Sequence, residues 1–126
     1  MRGSWDYACP VGVSFPEHIR GLFLFMVEIY FSNGLSGSFV VHPLFASMFN
    51  IIDPARFGGF EWDPAADWPA VVGRVGGIEI WVEPAVAGNE ILICDDPESL
   101  QARAVITLSN FDHSPQVLDR LAQIPA

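Results

Sequence analysis

Two short acidic segments hold the side chains best able to do acid–base chemistry or to bind a divalent cation. Their acids are Asp95, Asp96 and Glu98 in one segment, and Glu61, Asp63 and Asp67 in the other. The first segment reads Asp-Asp-Pro-Glu-Ser, which is typical of a solvated turn because Asp and Pro both favour turn geometry. The stretch 53–67 lacks the D-x-D-x-D-G order and the distant glutamate of an EF-hand. We therefore predict no metal ligand in either segment.

Other catalytic patterns also fail on spacing. The histidines have no H-x₃-H or H-E-x-x-H spacing, and they are His18, His42 and His113. No serine lies in a G-x-S-x-G context, and the chain contains no lysine that could complete a Walker motif. The sequence thus predicts no catalytic residue, no cofactor and no small-molecule substrate.

Charge and composition favour a subunit that packs against other protein. The net charge is −9, from fifteen acids against six arginines that are scattered singly along the chain. A phosphate-binding surface clusters Lys and Arg, so we expect no sequence-specific nucleic-acid binding. Hydrophobic residues make up 51% and charged residues 17%, which is little charge for the surface of an ordinary monomer.

One long helix is predicted near the N-terminus. The capping-box spacing of Ser14-Phe-Pro-Glu17 begins it, and Asn33-Gly34 ends it after Ser32. Its segment 21–31 is apolar apart from Glu28, so we expect this helix to be buried on all sides. Since eleven residues are too few to cross a bilayer, which needs about 20, neighbouring chains rather than a membrane would cover it.

The next segments alternate between short elements and loops. A strand is predicted over 39–41, and a second helix from Pro43 to about Ile52. The stretch from Asp53 to Pro69 is rich in glycine, proline and aromatic residues, which is typical of an irregular loop. Exposed aromatic side chains in such a loop would form a docking surface.

The hydrophobic period then changes to two, which indicates strands. Residues 71–75 and 78–83 predict a hairpin with a Gly76-Gly77 turn, followed by strands over 90–94 and 102–108. In the second hairpin strand Trp81 falls on the outward face, where a loop or a neighbouring subunit would cover it. Our candidate interface residues are Trp62, Trp68, Trp81, Phe57 and Phe60.

These elements predict one α+β domain with a largely antiparallel sheet. Residues 1–13 form an irregular N-terminal segment in this prediction, residues 14–110 the core, and residues 111–126 a short C-terminal helix and tail. Cys9 and Cys94 are expected to be buried thiols rather than a disulfide.

Three passages resemble the major capsid proteins of tailed bacteriophages with the HK97 fold. They are Glu28-Ile-Tyr-Phe-Ser-Asn-Gly-Leu-Ser-Gly-Ser-Phe-Val-Val-His-Pro-Leu-Phe-Ala-Ser-Met, Val72-Gly-Arg-Val-Gly-Gly-Ile-Glu-Ile-Trp-Val-Glu-Pro and Asn89-Glu-Ile-Leu-Ile-Cys. The resemblance covers about residues 15–110 and implies a long buried helix beside a hairpin-containing sheet. Members of this family are usually longer, with an N-terminal arm and an extended loop that we do not find. A fragment, one part of a split capsid protein or a minor shell component would fit.

The resemblance implies a structural subunit of a viral capsid shell. Such a subunit is made in the host cytoplasm, resides in the virion, and assembles with copies of itself or with other capsid chains without catalysis. Two alternatives remain open. One is an acidic binding or inhibitory module that mimics DNA, and the other is a small α+β ligand-binding domain or enzyme with a pocket where acids and histidines converge.

Overall fold

The computed structural model describes residues 3–8, 15–43, 45, 67–99 and 101–109. In this part of the chain one α-helix packs on a six-stranded sheet. The elements are β1 (Gly3–Ala8), α1 (Phe15–Ser32), β2 (Ser38–Val41), β3 (Ala70–Val75), β4 (Ile78–Val82), β5 (Glu90–Cys94) and β6 (Ala102–Ser109). The chain is therefore of mixed α+β class, as the sequence predicts.

Antiparallel pairs predominate in the sheet, as the sequence predicts, but the sheet is mixed because two of its five strand pairs are parallel. Its strand order is β1-β6-β5-β2-β4-β3. Strand β1 runs parallel to β6, and β2 runs parallel to β4. The pairs β2–β5, β3–β4 and β5–β6 are antiparallel. Local hydrophobic period cannot reveal the parallel pairs, because their partners lie far apart along the chain.

Strand β1 forms where the sequence predicts an irregular segment. It pairs with β6 from Gly3 opposite Ala104 to Ala8 opposite Ser109. Its residues alternate between half-buried and exposed positions, with Trp5 and Tyr7 among the half-buried ones. Glycine and aspartate are depleted in strands, so this segment gives only a weak local signal. Pairing with β6 supplies the backbone hydrogen bonds that it needs.

Helix α1 begins and ends where the sequence predicts. After Ser32 the chain turns at Gly34, whose φ is +60°. The amide of Gly34 donates to the carbonyl of Phe31 at 3.3 Å, and the amide of Leu35 donates to that of Tyr30 at 3.0 Å. These two bonds form a Schellman motif, which satisfies carbonyls at the end of the helix.

The main core lies between α1 and one face of the sheet. Leu22, Phe23 and Met26 are buried on the inner side of the helix. They pack in one cluster with buried sheet residues, among them Phe39, Val41, Ile80, Val82, Ile91, Ile93 and Ile106. Strand β2 is buried along its whole length, because its alternate residue Val40 joins a second cluster on the opposite face.

The predicted hairpin is confirmed. Strands β3 and β4 pair antiparallel up to Val75 opposite Ile78. Gly76 and Gly77 connect them with φ angles of +58° and +82°, as a two-residue type I′ turn requires. Ile78, Ile80 and Val82 face the main core as predicted.

Three predicted features lie mostly or wholly outside the described residues. They are the second helix beyond Phe45, the aromatic loop up to residue 66, and the short C-terminal helix and tail over 111–126. Within the described residues, no helix is long and apolar enough to span a membrane.

Candidate interaction surfaces

The outer side of α1 carries an exposed stripe that we call the outer stripe. Its members are Glu17, Arg20, Leu24, Glu28 and Phe31. They are spaced three, four, four and three residues apart, so they lie along one side of the helix. Leu24 is 73% exposed and Phe31 is 62% exposed. A large apolar side chain thus stands at the middle of the stripe and another at its C-terminal end.

This stripe corrects the expectation that α1 is buried on all sides. The sheet covers one side of the helix, and the described part of the chain leaves the opposite side open. The charges of α1 mark this side, since Glu17, Arg20 and Glu28 all fall on it. A sequence window restricted to residues 21–31 contains only Glu28 and therefore hides the polar stripe.

A shallow cleft of about 310 Å³ opens beside the C-terminal end of the outer stripe. It lies between the end of α1 and the β3–β4 turn, and Phe31, Arg74 and Glu79 are among its lining residues. The hydroxyl of Tyr30 donates a 2.9 Å hydrogen bond to the carbonyl of Gly37, which ties the helix to the start of β2. The cleft therefore combines the exposed ring of Phe31 with the charged side chains of Arg74 and Glu79.

The opposite face of the sheet carries a second apolar surface that we call the far-face row. Register places its five residues side by side across five strands, in the order Val71, Trp81, Val40, Leu92 and Val105. Val40 and Val105 are buried, while Val71 at the sheet edge is 47% exposed. The row is thus covered at its centre and open at one end.

Two polar atoms on this face are buried without a partner among the described residues. They are the indole Nε1 of Trp81 and the carboxylate Oε2 of Glu83. Both residues lie on the same side of the chain, two positions apart. An unpaired buried donor such as this indole costs about 1–3 kcal/mol, so the arrangement lowers the stability of the isolated chain.

Only two of the five predicted interface residues lie in the described part of the chain. Trp68 is half-buried and packs against the main core, whereas Trp81 is half-buried on the far face and packs with the second cluster. The structure therefore places these two side chains in different clusters. Trp62, Phe57 and Phe60 lie outside the described residues, and their interface role stays a prediction.

The acidic turn after β5 is joined to neighbouring segments by exposed hydrogen bonds and one ion pair. Ser36 Oγ donates to Asp95 Oδ1 at 2.7 Å, and Arg103 Nε donates to Asp95 Oδ2. Asp96 Oδ1 accepts the backbone amide of Glu98 at 3.1 Å. Among the described residues, no group of three or more His, Cys, Asp or Glu side chains is arranged to hold a metal ion.

The described cysteine is a buried free thiol. Cys94 lies at the end of β5 in the second cluster. Burial raises its pKa, and the neighbouring charges of Asp95 and Asp96 raise it further. A thiol in this state is a poor nucleophile at neutral pH.

Of the described residues, the large apolar side chains with the greatest exposure are Leu24, Phe31 and Val71, and the sequence pattern does not single them out. Each lies in a predicted helix or strand, but the sequence does not indicate that its side chain faces outward. In comparisons with known proteins, no protein-family description, no curated protein and no solved structure matches the chain.

Proposed function

We propose that this chain is a structural subunit of a tailed-phage-like capsid shell that acts by packing rather than by catalysis. The proposal includes an HK97-like fold of the chain and, as partners, copies of this chain or other capsid chains. The observation that carries it is the outer stripe, where Leu24 and Phe31 are 73% and 62% exposed on an otherwise well-packed helix.

The physical argument is the cost of leaving these groups in water. Burying a Leu or Phe side chain fully is worth about 1.5–3 kcal/mol. Single exposed apolar residues are ordinary on a monomer. Here two of them share one stripe, in a chain whose charged fraction is only 17%. A contact that covers the stripe recovers this free energy.

The charge of the chain supports a shell role over a nucleic-acid-binding role. With a net charge of −9, the surface repels the phosphate backbone. A shell wall of this kind would enclose DNA without holding it.

The native mass of the protein purified from its source tests the proposal. We expect particles of many subunits by mass photometry and negative-stain microscopy. A monomer or small oligomer, under conditions that preserve assemblies, would overturn the proposal and favour the acidic-module alternative.

A surface variant sharpens this test. Changing Leu24→Ser together with Phe31→Ser removes the two exposed groups and leaves the buried face of α1 intact, so we expect fewer particles from the same amount of folded protein. Glu98→Gln, at an exposed position in the turn after β5, is the matched control and should assemble as the unaltered chain does.

A further inference from the structure

The outer stripe is symmetric in its spacing. Counting outward from Leu24, the stripe has Arg20 four residues before and Glu28 four residues after, then Glu17 and Phe31 seven residues away on either side. A twofold axis through Leu24, perpendicular to the helix, therefore superimposes the stripe positions on one another. Surfaces of this kind can contact their own copies in an isologous interface.

We propose that α1 packs antiparallel against α1 of a second copy, with the twofold axis at Leu24. The partner is thus a second copy of this chain, and the inference rests on the proposed self-assembly. It does not require a closed shell, because one pair of chains satisfies the contact completely.

Charge complementarity supports a second copy as the partner and an antiparallel orientation of the two helices. In the antiparallel pair Arg20 of each copy faces Glu28 of the other, so two opposite-charge pairs flank the central Leu24 contact. A parallel pair would instead place arginine against arginine and glutamate against glutamate. Like charges placed opposite each other disfavour association, so the antiparallel pair is selected.

The apolar members fit the same geometry. The Leu24 side chains of the two copies meet at the axis, where each covers the other. Phe31 of each copy lies over the first turn of the partner helix, beside Glu17. Helix α1 has eighteen residues and is about 27 Å long at 1.5 Å per residue, so both ends of the stripe lie within the overlap.

Charge reversal tests the contact. In R20E or E28R each cross-pair becomes repulsive, and we expect the dissociation constant of the dimer to rise about tenfold or more. The double variant R20E/E28R restores opposite charges in both pairs and should return the constant to near its original value. Analytical ultracentrifugation measures the dissociation constant for the unaltered full chain and for the three variants. Circular dichroism checks that each protein is folded.

Mixing the two single variants gives a sharper result. An R20E chain facing an E28R chain has opposite charges in both cross-pairs, whereas each variant repels itself. We therefore expect an equimolar mixture to form heterodimers by native mass spectrometry while the separate samples stay monomeric. A mixture that stays monomeric would overturn the proposed orientation.

Cross-linking locates the axis. Facing α-carbons of two helices packed about 10 Å apart lie about 5 to 6 Å from each other, which a disulfide can span. We expect L24C to form an intermolecular disulfide in a glutathione buffer. E98C, at an exposed position in the turn after β5, is the control and should stay reduced.

These outcomes separate the contact from the shell. Dimers that respond to charge reversal, without larger particles, would support the helix contact and overturn the shell. Particles that are unaffected by R20E would support the shell and overturn the helix contact. An unaltered chain that is monomeric at hundreds of micromolar would overturn the helix contact.

Discussion

Ser36 and Asp95 join two parts of the chain that are 59 residues apart in sequence, through a 2.7 Å hydrogen bond from Ser36 Oγ to Asp95 Oδ1. Arg103 Nε contacts the other carboxylate oxygen. The hydrogen bond from Ser36 lowers the pKa of Asp95, and the bond and charge of Arg103 lower it further. The segment after α1, the turn after β5 and the start of β6 therefore meet at one carboxylate.

This carboxylate makes stability depend on pH. Because the folded-state pKa of Asp95 is lowered, its contribution is fully present above the pKa of an unfolded aspartate, about 3.9. The contribution is lost as the pH falls through the folded-state value. We expect Asp95→Asn to flatten the decrease of unfolding free energy below about pH 4, as measured by urea titration at a series of pH values.

Glu98→Gln serves as the control for Asp95→Asn, because it removes a carboxylate from the same exposed turn. It should leave the pH dependence near that of the unaltered chain. Equal flattening by both variants would contradict a specific role for Asp95.

The centre of the sheet should be the part of the fold most sensitive to truncation. Phe39 is fully buried in β2, where it lies between Ile80 of β4 and Ile93 of β5, and its ring is 5.7 Å from that of Tyr30. Phe39→Ala should lower the free energy of unfolding by about 3–5 kcal/mol, measured by urea denaturation. Val71→Ala, half-exposed at the edge, should change it by less than about 0.5 kcal/mol.

Two glycines after α1 should respond very differently to alanine. Gly37 has a φ of +99°, and an added Cβ would overlap the carbonyl of Cys94. Gly34 has a φ of +60° but open space around it. We expect a loss of about 3 kcal/mol or more for Gly37→Ala and about 1 kcal/mol for Gly34→Ala. Equal losses in thermal or urea unfolding would show that the close approach to Cys94 does not matter.

Because the indole N–H of Trp81 is unpaired among the described residues, we expect replacement of this side chain by phenylalanine to change stability little. Trp81→Phe removes the buried N–H that has no partner among the described residues and keeps an aromatic ring. The relief of that unpaired donor, about 1–3 kcal/mol, offsets the lost packing, so the net change should be below about 1 kcal/mol.

Trp81→Ala is the comparison for this position, because it removes the ring as well and should cost about 3 kcal/mol. Urea denaturation measures both variants. A loss above about 2 kcal/mol for Trp81→Phe would mean that the indole N–H is hydrogen-bonded in solution.

Helix α1 and the β3–β4 hairpin could be predicted from the sequence, because capping and turn residues mark their ends. The boundaries of α1 follow from the capping box and from Asn33-Gly34, and the hairpin follows from Gly76-Gly77 between alternating strands. These signals act within a few residues, because capping and turn geometry depend on nearby backbone groups. Strand β1 has no such local signal, and only its pairing with β6 makes it a strand.

The outer stripe depends on both the sequence and the tertiary structure. The residue types of the outer stripe, including the spacing of Arg20 and Glu28 around Leu24, are fixed by the sequence and by the helical period. Which side of α1 is exposed is decided by the sheet, because Leu22 and Met26 turn inward to pack on it. Sequence alone thus determined helix α1, the β3–β4 hairpin and the charges that they carry. Tertiary structure decided the order of the strands, which strand pairs are parallel, and which side of α1 is exposed. These features depend on burial between residues far apart in the sequence, which outweighs local preference.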